Sequence, residues 1–283
     1  MGFGFDRIGQ WSDERTFEVT ADRTKAYAAA TNDPIPEHRS GELAPPVFAV
    51  VPIWDSIVAA MSGVAPAGDL LSVVHGEQDM RFHRQLTPGM VLRSKAAPVG
   101  IHPKPSGTTV VVKVESHDDG GLVVEQYMTS FFRGVDAGAE GRGEIAPPHK
   151  LDDAVKARAP VAVIAQKIDG DQTFRYSEAS GDHMPIHLDN EIARSVGLPG
   201  IIVHGLCTMA FTSWGAIQAV GGEEPRKLAR LAVRFSKPVL PGQEITTRFW
   251  AVGEVDGIST YAYETTNPDG DVVIKDGLVE IRS

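Results

Sequence analysis

The sequence predicts an α+β fold made of two copies of one unit, each an antiparallel sheet around a buried helix. Three observations predict it. A repeat relates the two halves of the chain, each half contains a predicted apolar helix, and four strand-like runs follow each helix. Strand-like runs between turn signals are typical of antiparallel sheets. A helix that is apolar on every side is typical of a protein core.

The repeat places residues 27–38 over residues 176–187 at an offset of 149. Tyr, Ala, Asp, Pro and His coincide in register across the two segments. A second match, at an offset of 153, places residues 80–89 over residues 233–242. The change in offset indicates insertions between the matched segments. Copies of this length fall within the usual domain range.

We therefore predict three parts of the chain. The segment between the copies is rich in Gly, Ala and Pro and lacks apolar periodicity, which is typical of a linker. The predicted parts are an N-terminal copy at 1–133, a linker at 134–160 and a C-terminal copy at 161–283.

The elements of the C-terminal copy are predicted in order. A strand at 161–168 precedes a short helix that ends at Ser180 and Gly181, and an irregular loop follows. A second short helix spans 189–196, with Asp189 as its N-cap and Gly197 closing it. A long apolar helix spans 204–220. Four strands follow, at 229–235, 244–254, 258–266 and 272–281, with turn signals at Pro241-Gly242, Asp256-Gly257 and Asn267–Gly270 between them.

The N-terminal copy repeats this order. Its helix is predicted near 51–61, and its strands near 71–84, 91–99, 108–117 and 122–133. A sheet wrapped around one central helix is the hotdog architecture, so the whole chain is predicted to be a double hotdog.

The amino-acid composition disfavours several classes of partner and location. The 283 residues carry a formal charge of −10, with 42% hydrophobic and 23% charged residues, as in ordinary globular proteins. Net negative charge disfavours nucleic acid and anionic membranes as partners. No apolar run is long enough to span a membrane, and the N-terminus does not resemble a signal peptide. The single cysteine, Cys207, allows no intrachain disulfide. We expect a cytoplasmic protein with neither nucleic-acid nor membrane partners.

The loop after the first short helix carries the strongest chemical signal. Asp182 and His187 lie five residues apart, and Pro185 between them prevents a continuous helix. A turn there could bring a carboxylate and an imidazole together around one water molecule, as general acid–base catalysis requires. The alternative is that Asp182 caps a helix and His187 fills a loop. The spacing alone leaves both interpretations open.

The motifs around this loop resemble one known family. Tyr176, followed by Ser-Gly-Asp182 and then Pro185 and His187, is similar to the signature of the MaoC-like (R)-specific enoyl-CoA hydratases, or hydratase 2. The resemblance covers nearly the whole chain and extends to double-hotdog members. Further matching segments are Ile202–Thr208, Arg234–Gly242, Val74–Gln78 and Leu86–Gly89.

The resemblance implies a reaction and a set of residues. It implies that Asp182 and His187 activate water for syn addition across a trans-2-enoyl thioester, without a metal or cofactor. The Gly205 N–H, at a helix N-terminus, would polarise the thioester carbonyl. The remaining substrate-binding positions implied are His204, Phe235, His75, Gly76 and Lys104, the last as a cation for the phosphates of an acyl-CoA substrate.

Two positions depart from the family pattern. Met184 stands where the family has Asn, so an amide is replaced by an apolar thioether. In the N-terminal copy, Asp33 and His38 align with Asp182 and His187, but their flanks differ. We interpret Asp33 and His38 as remnants, in a copy that forms the acyl-binding half.

Other functions remain open at this point. A metal site would need Asp182, His183, His187 and His204, but their spacing does not match a ligand motif. Cys207 lies in an apolar run, which is typical of inert packing rather than of a nucleophile. A hotdog acyl thioesterase and a non-catalytic acyl-CoA-binding protein are the rival functions. A homodimer is possible.

Overall fold

The computed structural model describes residues 2–65, 68 and 73–283 and has an α+β architecture. The chain packs as two units. The first unit comprises Met1–Glu18, Pro52–Arg84 and Met90–Pro148. The second unit comprises Val19–Val51, Gln85–Gly89 and His149–Ser283. Within the described residues, no helix is long and apolar enough to cross a membrane.

In the first unit, an antiparallel sheet packs against one helix, α3 (Trp54–Ser62). The strand order is β1-β3-β4-β5-β2, and the two-residue strand β6 pairs with β3. Ile57 and Met61 of the helix pack on Ala96, Val112 and Val114 of the sheet. The strands are β1 (Arg15–Glu18), β2 (Val73–Phe82), β3 (Val91–Lys104), β4 (Gly107–Asp118), β5 (Gly121–Arg133) and β6 (Arg142–Gly143).

The second unit has the same plan, with five antiparallel strands in the order β8-β11-β10-β9-β7. Its strands are β7 (Ala162–Lys167), β8 (Leu228–Phe235), β9 (Glu244–Val255), β10 (Ile258–Thr266) and β11 (Val272–Arg282). Its helices are α1 (Ala21–Ala30), α2 (Pro36–Ser40), α4 (Asp153–Lys156), α5 (Gln172–Ser180), α6 (Asn190–Ser195) and α7 (Gly205–Ala219).

Helix α7 forms the core of the second unit because its sequence is apolar on every side. Twelve consecutive residues of this helix, Leu206–Ile217, are buried. The amide of Gln166, on β7, donates to the carbonyl of Phe211 at 2.6 Å. Each unit is therefore a sheet packed on one central helix, and the predicted double hotdog is confirmed. Helix α7 is buried on every side, whereas α3 buries one face and leaves Val58 60% exposed.

Turn chemistry fixes the hairpins of the second sheet. Asp256 and Gly257 both have positive φ, at 51° and 73°, between β9 and β10. Two consecutive positive φ angles are characteristic of a type I′ turn, whose twist matches that of paired strands. Gly242 and Gly270 also have positive φ. The turn signals in the sequence therefore lie where the strands reverse.

The structure differs from the sequence-based expectations in two places, and a third expectation falls partly outside the described residues. The helix of the N-terminal copy begins at Trp54 rather than near residue 51, because Pro46–Ile53 is a 3-10 segment containing Pro52. The predicted linker includes β6 and α4, and its Leu151 is buried against Trp250 and Ala262. The predicted strand at 71–84 is described only from residue 73, so its first two positions lie outside the described residues.

The units of packing also differ from a linear division of the chain. Residues 19–51, from the N-terminal sequence copy, belong to the second unit with residues 149–283. They carry α1, which packs against α5, its counterpart in the repeat. The division into an N-terminal copy at 1–133, a linker at 134–160 and a C-terminal copy at 161–283 stays a prediction.

Truncating Phe211 to Ala should destabilise the protein by about 3–5 kcal/mol, because a fully buried aromatic side chain leaves a cavity in the core. Urea unfolding measures the change. Val255→Ala is the control, since Val255 is 72% exposed and should change stability by no more than about 0.5 kcal/mol. Equal losses in the two variants would contradict the placement of α7 as the core helix.

Candidate active site

The candidate catalytic pair lies on a loop whose ends are fixed by local sequence. Helix α5 ends at Gly181, which has a φ of 80°, a left-handed conformation that favours glycine. Pro185 then begins a 3-10 turn that ends at His187. The chain therefore reverses between Asp182 and His187. Their functional atoms and a nitrogen of His204 all lie within 4.8 Å of one another.

The ring of His187 is oriented by a backbone carbonyl. Its Nδ1 lies 2.8 Å from the carbonyl oxygen of Ile202. A carbonyl only accepts, so Nδ1 carries the hydrogen, and in the neutral ring Nε2 carries the lone pair. Burial lowers the pKa of His187, while the Ile202 carbonyl and the Asp182 carboxylate offset part of that shift. The ring is therefore held as a neutral base with its lone pair on Nε2.

Asp182 is held by the same loop. Its Oδ1 accepts a hydrogen bond from the Met184 N–H at 3.1 Å, and its backbone carbonyl accepts from the Ser177 hydroxyl at 2.7 Å. The residue is half-buried. One carboxylate oxygen thus supports the loop geometry, and a carboxylate oxygen lies within 4.8 Å of a His187 nitrogen. A carboxylate and a neutral imidazole around one water are suited to general acid–base chemistry.

His204 completes the cluster from the start of α7. Its Nε2 donates to the carbonyl of Asp182 at 3.0 Å, and its Nδ1 lies 3.2 Å from the hydroxyl of Thr173. The ring stacks on His187, with centroids 3.7 Å apart. Burial lowers the pKa of His204 to about 3, so this ring is neutral near physiological pH. Both nitrogens already make hydrogen bonds, so the cluster does not offer three free ligand atoms for a metal.

The start of α7 has the geometry expected of a site that approaches a substrate. His204, the N-cap, makes no side-chain hydrogen bond to the first turn. N–H groups of a first turn point away from the helix and favour negative charge. A Cβ on Gly205 would lie 3.2 Å from the ring of Phe235. The structure thus places Gly205, Phe235 and the candidate catalytic pair in one unit.

Met184 lies at the rim of this cluster. Its side chain is 45% exposed, and its backbone carbonyl accepts from the His187 N–H at 3.0 Å. The backbone at this position therefore helps to form the turn, whichever side chain it carries. The loss of the family's amide alters the rim of the site and leaves the turn intact.

Three predicted substrate-binding residues belong to the first unit. His75 is on β2, where its Nε2 lies 3.2 Å from the Glu77 carbonyl, and burial lowers its pKa to about 4. A Cβ on Gly76 would lie 3.1 Å from the Thr129 carbonyl, so a side chain at this position would be in tight contact with that backbone. Lys104 is exposed at the end of β3. Their contribution to substrate binding stays a prediction.

The first-copy pair has a different geometry. Asp33 and His38 are buried, and their side chains bond directly, with Oδ2 of Asp33 2.7 Å from Nδ1 of His38. The other oxygen of Asp33 accepts from the Ile35 N–H at 2.9 Å. The pair therefore faces inward and leaves no place for a water between carboxylate and imidazole. A surface cavity of about 520 Å³ lies beside this loop, lined by Lys25, Ala28, Ala29, Asn32, Asp33, Pro34 and Arg39.

Sequence reasoning missed the residues that support the pair. Thr173 and the carbonyl of Ile202 orient the two histidines, and Tyr176 lies against His204 with ring centroids 4.9 Å apart. The hydroxyl of Tyr176 bonds that of Tyr27, its partner in the repeat, at 3.1 Å. Only the two tyrosines left a signal in the sequence, through the repeat. A backbone carbonyl leaves none.

Two models of known protein families together match most of the chain. Residues 150–271 match the MaoC like domain family, and residues 37–134 match the MFE-2 hydratase 2 N-terminal domain. A 3-hydroxyacyl-thioester dehydratase Y of Mycobacterium tuberculosis is 30% identical over 296 aligned residues, which cover 99% of both chains. The peroxisomal multifunctional enzyme type 2 of Mus musculus is 31% identical over 83% of the chain. The alignment spans about a third of that longer enzyme (32%).

Solved structures show the same fold. The chain superposes on a MaoC-like dehydratase from Phytophthora capsici with a TM-score of 0.84 and 26% identity, over 98% of each chain. A Mycobacterium tuberculosis protein described as a double hotdog has a TM-score of 0.62 at 14% identity, over 99% of the chain and 98% of that protein. The second likeness, at low identity, concerns the fold alone.

Cys207 should be unreactive in the native protein, because it is fully buried and burial raises the pKa of its thiol. We expect reaction with a chromogenic disulfide reagent to be at least about 100-fold slower in buffer than in urea. Fast labelling of the folded protein would contradict the buried placement. Cys207→Ala should retain turnover, which excludes a thiol nucleophile.

Proposed function

The chain belongs to the MaoC-like hydratase 2 family, and we propose that it adds water (R)-specifically to trans-2-enoyl-CoA, giving (3R)-3-hydroxyacyl-CoA. The observation that carries the proposal is the geometry of Asp182 and His187. A carboxylate oxygen and the Nε2 lone pair of a neutral imidazole lie close enough to share one water. The relatives named enoyl-CoA hydratase 2 and 3-hydroxyacyl-thioester dehydratase support this reaction class.

The proposed reaction starts with a water molecule between the two side chains. His187 Nε2 takes a proton from the water while Asp182 holds it, and the water oxygen bonds to C3 of the enoyl group. The electron pair of the C2–C3 double bond moves towards the thioester carbonyl. The proton then passes to C2 from the same side, which restores neutral His187. Both additions come from one face, so the addition is syn, and the reverse sequence dehydrates the product.

The thioester carbonyl gains negative charge during this sequence. We propose that the N–H of Gly205 stabilises that charge; the position of Gly205 at the start of α7, without a capping side chain, supports this role. Glycine at this position leaves room for the Phe235 ring, which would lie 3.2 Å from a Cβ, and we propose that both residues contact the substrate. On the family resemblance, His75, Gly76 and Lys104 are also proposed to bind the acyl-CoA, with Lys104 pairing with phosphate.

The biological setting is also proposed. We propose an acyl-CoA substrate, a cytoplasmic location and a homodimer in solution. Several relatives carry peroxisomal names, so the compartment needs its own measurement, by localisation of a tagged chain. Sedimentation velocity measures the oligomeric state.

The activity is tested with crotonyl-CoA and longer enoyl-CoAs. Loss of enoyl thioester absorbance without free thiol is the expected result, and chiral analysis should give the (3R) product. Release of CoA thiol would indicate a thioesterase instead. Binding without either reaction would indicate an acyl-CoA-binding protein.

Asp182→Ala and His187→Ala should each lower kcat by at least about 100-fold, because each removes one of the two groups that activate water. The matched control is Asp33→Asn in the first copy. Asn keeps an acceptor for the Ile35 N–H and a donor for His38, so the fold is retained and kcat should change by less than about twofold. Near-normal turnover in either Ala variant would contradict the assignment. A large loss in Asp33→Asn would indicate a second active site.

The hydration rate should depend on the protonation of His187. Its Nε2 must be unprotonated to take a proton from water, and burial lowers its pKa below 6.5. We expect kcat/KM for hydration to be constant around pH 7. It should fall only when the pH drops below 6.5, the pKa of an unperturbed imidazole. The pH profile of kcat/KM checks this. An acid limb above pH 6.5 would contradict a neutral, buried base.

A further inference from the structure

We propose that His204 is a positioning residue that holds the His187 ring and the Asp182 backbone in one fixed arrangement, without itself binding the substrate or transferring a proton. The inference rests on the proposed function, since it concerns the same catalytic pair. It differs from the role implied by family resemblance, in which His204 is a substrate-binding residue.

The hydrogen bonds of His204 determine its tautomer. The Asp182 carbonyl can only accept, so the Nε2 of His204 carries the hydrogen. In the neutral ring, Nδ1 is then an acceptor, and the Thr173 hydroxyl lies 3.2 Å from it. The same hydroxyl lies 2.9 Å from the His187 carbonyl. Both nitrogens therefore serve the protein framework, and neither is left to contact a substrate.

The faces of the ring are occupied too. His187 stacks at a centroid distance of 3.7 Å and an interplanar angle of 26°, while Tyr176 lies at 4.9 Å. The His187 ring is thus fixed twice, through Nδ1 by Ile202 and through its face by His204. Rotation of His187 about its side-chain bonds would break both contacts. This leaves Nε2 aimed at one position, beside the Asp182 carboxylate.

The environment of the stack, the paired rings of His187 and His204, keeps His204 neutral, so that His204 takes no part in proton transfer. Burial, with smaller contributions from the adjacent His187 and His183, lowers its pKa to about 3, and the hydrogen bond to the Asp182 carbonyl offsets part of that shift. Burial also raises the pKa values of Tyr27 on α1, Tyr176 on α5 and Cys207 on α7, so these groups stay neutral. Burial also lowers the pKa of His187, but the Ile202 carbonyl and the Asp182 carboxylate offset part of that shift. His187 is therefore the ring of the stack that gains and loses a proton. The titratable groups that face the stack are Tyr27, Tyr176, Asp182, His183 and Cys207, with Arg175 acting on Cys207.

Two substitutions of His204 test its hydrogen bonds and its stacking on His187 separately. His204→Gln can keep a donor for the Asp182 carbonyl but loses the stack. His204→Phe keeps an aromatic ring against His187 but loses both hydrogen bonds. Ser213→Ala is the matched control, because Ser213 is buried on the same helix and its hydroxyl donates to the Ala210 carbonyl of that helix, at 2.8 Å.

We expect both His204 variants to lose kcat, by up to about 100-fold, because small misplacements of reacting groups are costly. KM should change by less than about threefold, since no substrate contact is removed. Ser213→Ala should retain its kcat. All rates are normalised to folded protein measured by circular dichroism, so partial unfolding does not imitate the effect.

The pH profile distinguishes positioning from a merely structural role. In His204→Gln, water reaches the exposed face of His187, so its pKa and the acid limb of kcat/KM should rise towards pH 6.5. In His204→Phe, the face stays covered, so the acid limb should stay at its wild-type pH while kcat falls. A structural role would leave the limb unchanged in both variants.

NMR titration of 15N-labelled histidines tests the inference without activity. In the wild type and in His204→Phe, His187 should titrate below 6.5 as the Nδ1–H tautomer, and in His204→Gln its pKa should rise. An unchanged His187 titration in His204→Gln, or unchanged kcat in both variants, overturns the proposal. If the wild type does not hydrate enoyl-CoA, the proposed function fails, and the titration alone then decides the inference.

Discussion

The hydrogen bond from His187 Nδ1 to the carbonyl of Ile202 is the constraint on which the rest of the site depends. A carbonyl cannot donate, so this bond decides which nitrogen holds the lone pair. It also links the catalytic loop to the segment just before α7. That segment is tied in turn to the chain after β8, because the Val203 N–H donates to the Val239 carbonyl at 2.8 Å. The position of the base is therefore set by the packing of the whole unit.

The two copies of the repeat show that sequence spacing does not fix chemistry. In both copies Asp and His are five residues apart with Pro between them. In the first copy, the carboxylate bonds the imidazole directly and both are buried. In the second, the imidazole bonds a backbone carbonyl and the carboxylate supports the loop, so both keep an atom for water. The difference comes from the partners supplied by surrounding segments.

Most of the fold could be predicted because it depends on local pattern. The α7 helix lies where the apolar run predicts it, and the β10 strand has the predicted bounds, Ile258–Thr266. Positive φ at Asp256 and Gly257 follows from their sequence. The grouping of residues 19–51 with the second unit could not be predicted, because the packing of α1 on α5 joins residues far apart in the chain. The burial of Leu151 in the predicted linker is of the same kind.

The sequence by itself determined the repeat, the pattern of strands and helices, and the candidate catalytic pair, Asp182 and His187. Only the tertiary structure decided the tautomer of His187, the stacking of His204 and the inward-facing geometry of Asp33 and His38. The physical reason is the separation along the chain over which each kind of interaction acts. Periodicity and turn chemistry act over a few residues, whereas the contacts of the site join groups 15 and 22 residues apart and include backbone carbonyls, which every residue carries.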